Sequence, residues 1–322
     1  MELKNLGNTD LKTPPIIFGG NVFGWTLDEK ESFKMLDELL EKGYTCIDTA
    51  DVYSRWADDN EGGESEKIIG KWMKDRGVRD KITLATKVGS DMGQGKKDIS
   101  ENYILKAAQE SLKRLETGYI DLYYTHWDDD RTPVEETLGA YQKLIKNGFV
   151  KYIGASNLSP ARLRDSLNAS KAKALPKYQV FQQEYSLMNR DKVEGDILKL
   201  CQENNVSITT YFSLASGFLT GKYRSKDDLE GQNRKDFVKD YLDDRGKNIL
   251  KTLDEVSEEH GISNAGVALA WIINRPGITA AIASATKSSH LKAFEEATSV
   301  KLSSENMEKL NEASSKKALQ DK

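Results

Sequence analysis

Cysteine, histidine and long apolar stretches are all scarce in this chain. Its 322 residues hold two cysteines and three histidines. Cys46 and Cys201 lie far apart, each in an apolar segment, and are expected as buried, reduced thiols. The histidines at 126, 260 and 290 are scattered, and neither HExxH nor CxxC occurs, so no metal-ligand pattern is present. No apolar run approaches the roughly 18 residues that cross a bilayer, and the N-terminal MELKNLGNTDL has no signal-peptide core. A soluble, cytoplasmic protein without a membrane partner is the expectation. A surplus of one charge is missing too. Lys and Arg number 47 against 51 Asp and Glu, interspersed, for a net charge of −4, which leaves no basic face for nucleic acid. There is no Walker-type phosphate loop and no GxSxG nucleophile elbow, since the nearest stretch reads Gly154-Ala155-Ser156-Asn157. A GxGxxG turn is lacking as well; its place reads Gly19-Gly20-Asn21-Val22-Phe23-Gly24.

What the chain does have is repetition of a short β-branched or aromatic run followed by an amphipathic segment. Strands are expected at 16–19, 46–48, 82–87, 120–125, 152–156, 180–184, 207–211 and 279–282. The intervening segments carry helical spacing, as in Leu105, Ala108, Leu112 and Leu115. Pro133 and Pro160 sit at expected first helical positions, and Gly148 and Gly261 follow expected last turns. Eight such units predict a parallel sheet closed into a (β/α)₈ barrel, one α/β domain over the whole chain. An N-terminal β-hairpin around Gly7-Asn8 should cap the barrel bottom, and extra C-terminal helices are expected at 288–297 and 303–318. Two connections are unusually long, after Tyr53 and over about 212–244, and long loops at a barrel top are commonly functional.

Four polar residues fall at or just past expected strand ends: Asp48, Tyr53, Lys87 and His126. Strand ends converge on one face of a barrel, where active sites form. Singly each has an ordinary explanation, but together they suit proton delivery. A free tyrosine holds its proton to about pH 10, and a neighbouring ammonium lowers that value. Lys87 supplies the ammonium, Asp48 anchors it, and His126 orients a carbonyl oxygen. Tyr53 then acts as general acid while a cofactor supplies hydride.

With those residues in view, the chain resembles the aldo-keto reductase family over nearly its whole length. The stretches that carry the likeness are DTADVYS, GGESEKIIGKW, LATKV, DLYYTHWDDDRTPVEETL, VKYIGASNLS, FQQEYSL, FSLASGFLTGKY and VALAWIINRPGITAAIAS. The resemblance implies a barrel that binds NADP(H) in extended form without a Rossmann fold and reversibly reduces aldehydes or ketones. It also implies that Asp48, Tyr53, Lys87 and His126 are the catalytic set. Ser156, Asn157 and Gln182 match the residues that hold the nicotinamide carboxamide, and Tyr211 matches the aromatic stacked on the ring. Gly20 and Asn21 fall near the ribose, and Ser213, Leu214 and Gly217 fall in the pyrophosphate loop. One region departs from the pattern. Where the family places a Lys-Ser pair and an Arg on the adenosine phosphate, this chain has Ser284, Ala285 and His290. Its adenine positions are Ala293-Phe294. Lys287, with Thr286 or Ser288, offers phosphate ligands in the same loop, so NADP(H) is expected while NAD(H) stays open.

Phe23, Trp25, Trp56 and Trp127 are candidate walls for a small carbonyl or alcohol substrate. The Asp128-Asp129-Asp130 run is expected to face water. Two other readings compete: a cofactor-binding regulatory subunit resembling potassium-channel β-subunits, and a Schiff-base lyase using Lys87. Neither physiological substrate nor oligomeric state is legible.

Overall fold

A computed structural model describes residues 1–231 and 235–315. Among them, eight parallel strands close into a barrel: β3 (Ile16–Gly19), β4 (Cys46–Asp48), β5 (Thr83–Val88), β6 (Ile120–Thr125), β7 (Val150–Ser156), β8 (Val180–Glu184), β9 (Ser207–Tyr211) and β10 (Ile278–Ala283), with β10 returning to pair with β3. The fold is a (β/α)₈ barrel. β5 lies one residue later than expected, because Ile82 closes a 3-10 turn, and β7 and β10 are longer than expected.

Side chains alternate across a strand, and here the alternation builds the site. One parity points into the barrel: Ile17, Cys46, Ala280 and Ile282 form one small interior cluster, and Ala85, Leu122, Tyr124 and Val180 another. Followed to the C-terminal ends, that parity reaches Asp48, Lys87, His126, Ser156 and Gln182. Gly154 makes room for the Tyr124 ring, which a Cβ there would strike. At the opposite end β1 (Lys4–Asn5) and β2 (Lys12–Thr13) form the antiparallel hairpin, and Leu6 and Leu11 plug the interior cluster. Gly7 turns at φ 63° and donates its amide to Ser207 Oγ at 2.7 Å.

The helices are α1 (Glu29–Glu41), α2 (Glu64–Arg76), α3 (Glu101–Arg114), α4 (Val134–Lys146), α5 (Pro160–Lys173), α6 (Asp196–Glu203), α7 (Lys235–Val238), α8 (Asp244–His260), α9 (Asn264–Ile273), α10 (Lys292–Ser299) and α11 (Ser304–Ser314). Their apolar faces and the outward strand faces make the main core. Pro160 opens α5 behind a Ser159 cap, but Pro133 is the cap residue of α4 rather than its first helical position. The helix expected at 288–297 begins as a 3-10 turn, Ser288–Leu291, before α10. The one expected at 303–318 runs as α11, and 316–318 lie outside the described residues. Among the described residues no helix is long and apolar enough to cross a membrane. Both cysteines are free and buried, and burial pushes each thiol up to about 12.

Candidate active site

Lys87 stands fully buried on β5, and its ammonium uses every hydrogen it has. It donates to Asp48 Oδ2 at 2.5 Å, the Thr49 carbonyl at 2.8 Å and Tyr53 Oη at 3.0 Å. Three donated bonds require the protonated amine. Burial, the largest influence, favours the neutral form; Asp48 and Tyr53 outweigh it, and Lys87 lies above an ordinary lysine. The second oxygen of Asp48 accepts from Gln182 Nε2 at 2.8 Å. Tyr53 reaches this group from the loop after β4. Ser54, at φ 73°, ties that loop to the Phe23 carbonyl, and Asn60 bonds the Gly24 and Ser54 carbonyls.

One expectation about Tyr53 is overturned. From the sequence, Lys87 is expected to draw the phenol below the value of free tyrosine. Instead, burial pushes Tyr53 above it, and Lys87 opposes that rise without reversing it. A phenol removed from water loses the solvation its anion needs, and a cation already shared with Asp48 restores only part of it.

His126 completes the group, its ring centroid 6.1 Å from that of Tyr53. Burial first, then the charges of Lys87 and Lys97, hold it well below the ordinary imidazole value, so the ring is neutral at pH 7. Nδ1 lies 3.0 Å from Ser90 Oγ, a buried partner that the sequence alone did not single out. Its one sequence signal is its place just past β5.

The residues expected around a nicotinamide gather on the same barrel end. Asn157 Nδ2 donates to Ser156 Oγ and to the His126 carbonyl, and Tyr211 Oη donates to Asn157 Oδ1 at 2.7 Å. Gln182, on Asp48, stands apart from that net; together a hydroxyl, two amides and a half-buried ring offer a donor and acceptor set that fits a carboxamide. Gly20 is buried beside β3 and its carbonyl accepts from Ser65; Asn21 is half-buried. Beyond β9 the backbone turns left-handed at Ala215, Ser216 and Gly217. Leu214 packs partly on the core.

Two hydroxyls of the expected cofactor residues are engaged within the fold. Ser213 is buried with its Oγ on the Thr210 carbonyl, so only its backbone faces the loop. Ser284 Oγ is taken by the Gly19 carbonyl and Asn21 Oδ1, clamping β10 to β3 instead of presenting itself to a phosphate. The Thr286 amide contacts His290 Nδ1 at 3.4 Å. Burial and the charges of Lys222 and Lys287 depress His290, so three basic side chains share this corner. Lys222 was not singled out in the sequence, although it lies in the stretch FSLASGFLTGKY, because only the fold brings it beside Lys287 and His290.

Of the aromatic walls, Phe23 is excluded. It is fully buried and stacked on Phe18, centroids 5.4 Å apart. Trp56 remains 48% exposed, edge-on to Tyr53 and to the half-buried Trp25. Trp127 stacks beside His126, with Lys97 Nζ 4.6 Å above its ring. The aspartate run faces water only in part: Asp128 pairs with Arg162 at 3.0 Å and Asp129 accepts from Thr132, while Asp130 is exposed.

A closed parallel barrel with an anchored lysine–tyrosine pair at its C-terminal mouth defines a class, the (β/α)₈ oxidoreductases. The comparisons fix the family. The profile of the aldo/keto reductase family matches residues 15–315. The aldo-keto reductase YhdN of Bacillus subtilis is 31% identical over 97% of this chain and 93% of its own length. A probable voltage-gated potassium channel subunit beta of Arabidopsis thaliana is 32% identical over 91% of this chain and 89% of its own. The uncharacterized oxidoreductase YrpG of Bacillus subtilis is 32% identical over 97% and 95%. The chain belongs to the aldo/keto reductase family, whose members are oxidoreductases that generally use nicotinamide cofactors.

Proposed function

We propose that this protein reduces aldehydes or ketones to alcohols with NADP(H), Tyr53 giving the proton. The observation that carries the reading is the chain from buried Gln182 through Asp48 and Lys87 to half-buried Tyr53. When bound, the nicotinamide supplies the hydride that no side chain can. Ser156, Asn157 and Gln182 are the residues to hold its carboxamide, with Tyr211 against the ring and Gly20 and Asn21 toward the ribose. The backbone of Ser213, Leu214 and Gly217 suits the pyrophosphate. Lys222 and Lys287 favour NADP(H) over NAD(H), because a further phosphate gives their charges a partner, and Thr286 and His290 beside them can add hydrogen bonds.

Tyr53 passes its hydroxyl proton to the carbonyl oxygen as that oxygen gains negative charge. The phenolate left behind lies against Lys87 at the 3.0 Å of the resting bond. The ammonium therefore binds the changing state more strongly than the starting one, which is the condition for catalysis. Neutral His126 takes a hydrogen bond from Ser90 on Nδ1, carries its own proton on Nε2 and donates it to the same oxygen. Tyr53→Phe tests the assignment. Carbonyl reduction should fall at least about 100-fold, the lower range for a lost general acid, while NADPH affinity stays nearly unchanged. Turnover within a few-fold of wild type would remove Tyr53 from the role.

A second reading rests on the relatives named probable potassium channel subunit beta, at 32% and 33% identity. It has the cofactor held chiefly for regulation of a partner. Sustained oxidation of NADPH over many turnovers with simple aldehydes favours the reductase; tight NADPH binding without turnover favours the regulator. Lys87 as a Schiff-base nucleophile is disfavoured, since an ammonium with three hydrogen bonds has no lone pair to attack with.

A further inference from the structure

Asp51 lies between Asp48 and Tyr53 in sequence and has no place in the chemistry above. Its side chain is 2% exposed, and neither carboxyl oxygen meets a partner in good hydrogen-bond geometry. Tyr123, on the adjoining β6, has a buried hydroxyl in the same condition. Charged and titratable groups face Asp51 from every side. They are Glu66 on α2, Arg114 and Tyr103 on α3, Lys87 on β5, Tyr123 on β6, Tyr141 on α4, and Tyr53 in its own loop.

The one guanidinium in that set is already spoken for. Glu66 is fully buried and gives one oxygen to Thr86 Oγ1 and the other to Arg114 Nε, each at 2.6 Å. An ionised Asp51 would add a second carboxylate to a space whose guanidinium is already committed. Burial, then Glu66, therefore push its carboxyl up to about 8, against the weaker pull of Arg114, the Val52 amide and Lys87. Asp51 stands two residues from Tyr53 in the same loop, and its amide donates to the Lys87 carbonyl at 3.3 Å. Its charge, once formed, is a small influence on Tyr53 beside burial, Lys87 and Asp48, and favours retention of the phenolic proton.

We infer that Asp51 is a positioning residue of the proton-delivery group, acting on Tyr53 as an uncharged acid and suppressing proton release when it ionises. The inference rests on Tyr53 being the donor. It adds that reduction is governed by a buried carboxyl that never touches the substrate.

The test is a pH profile of kcat for aldehyde reduction with saturating NADPH, with infrared spectra of the same protein without substrate. Wild type should show a step down of up to about threefold centred near pH 8, as expected when the dissociation constant of the donor acid falls by less than about tenfold. A protonated-carboxyl stretch should vanish over the same range. Asp51→Asn, uncharged at every pH, should lack both the band and the step, while any later decline from Tyr53 itself remains. A step that persists in Asp51→Asn overturns the inference. So does a wild-type band whose midpoint departs from that of the step, a comparison that holds even if the variant fails to fold. Failure of the Tyr53 assignment shows separately, as activity retained by Tyr53→Phe; the infrared band still reports the state of Asp51.

Discussion

The pairing of Lys87 with Asp48 can be tested without substrate or cofactor. Both side chains are out of water, at 0% and 3% exposure, so removing either leaves a charge with nothing to screen it. In Lys87→Met the Asp48 carboxylate keeps Gln182 as its remaining donor and loses the ammonium. Breaking a buried pair from one side typically costs about 3–5 kcal/mol. Asp48→Asn is no gentler, because Lys87 and Gln182 bond different oxygens of Asp48, and the amide NH₂ that replaces one of them cannot accept at all. The double variant buries no charge and should lose well under the sum of the singles. A cycle of urea denaturation at pH 7 should give a coupling of about 2 kcal/mol or more. One pH effect accompanies it. Wild type carries the stabilisation of a raised lysine, complete below about pH 10.5 and lost as pH climbs through the folded-state value. Singles that add within about 0.5 kcal/mol would show that the two residues do not act as a buried pair, and the account of Tyr53 would go with them.

Three further outcomes are expected. Because folded Asp51 keeps a proton up to about 8 that the unfolded chain releases near 4, wild-type stability should decline with rising pH across that window. Asp51→Asn removes the trend, so the two unfolding free energies should diverge by up to about 1.4 kcal/mol per pH unit; parallel curves would contradict a neutral Asp51. Replacing Lys222 and Lys287 together with Ala should weaken NADPH at least about tenfold more than NADH in fluorescence titrations, as loss of a charge-assisted contact predicts. Equal losses would place those lysines away from the distinguishing phosphate. Ser90→Ala should lower kcat about tenfold by freeing the His126 tautomer, with NADPH affinity constant; unchanged kcat would mean that the tautomer does not matter.

The barrel was legible because its strands are separated by clear helical spacing, and because alternation alone carries Cys46 to Asp48 and Ala85 to Lys87 on the inner face. What stayed hidden depends on partners from distant elements. Asp51 reads as one more loop acid until Glu66 and Arg114, on two helices, are brought beside it. Ser90 matters only because His126 arrives from the next strand. Phe23 looked like a wall because it follows a strand end, yet the turn at Gly20–Val22 folds its ring onto Phe18. Ser284 fits a phosphate site by position, but its hydroxyl is consumed in joining the first barrel strand to the last.

The sign of the Tyr53 shift bears most directly on mechanism. A donor whose resting value is lowered would be more acidic but more often deprotonated. With burial prevailing, Tyr53 is protonated throughout the neutral range, so in the proposed role it meets every substrate as a loaded donor. The disadvantage is a smaller driving force in the ground state. Lys87 offsets it only when charge moves, since an ammonium 3.0 Å away attracts a phenolate far more than a phenol. The group is thus arranged to discriminate between the beginning and the middle of the transfer, and a low resting pKa is not required. The contribution of Lys87 therefore belongs in kcat and not in binding. It should grow when bound ligands exclude water from the mouth, and a carboxylate such as Asp51 can oppose it without approaching the substrate.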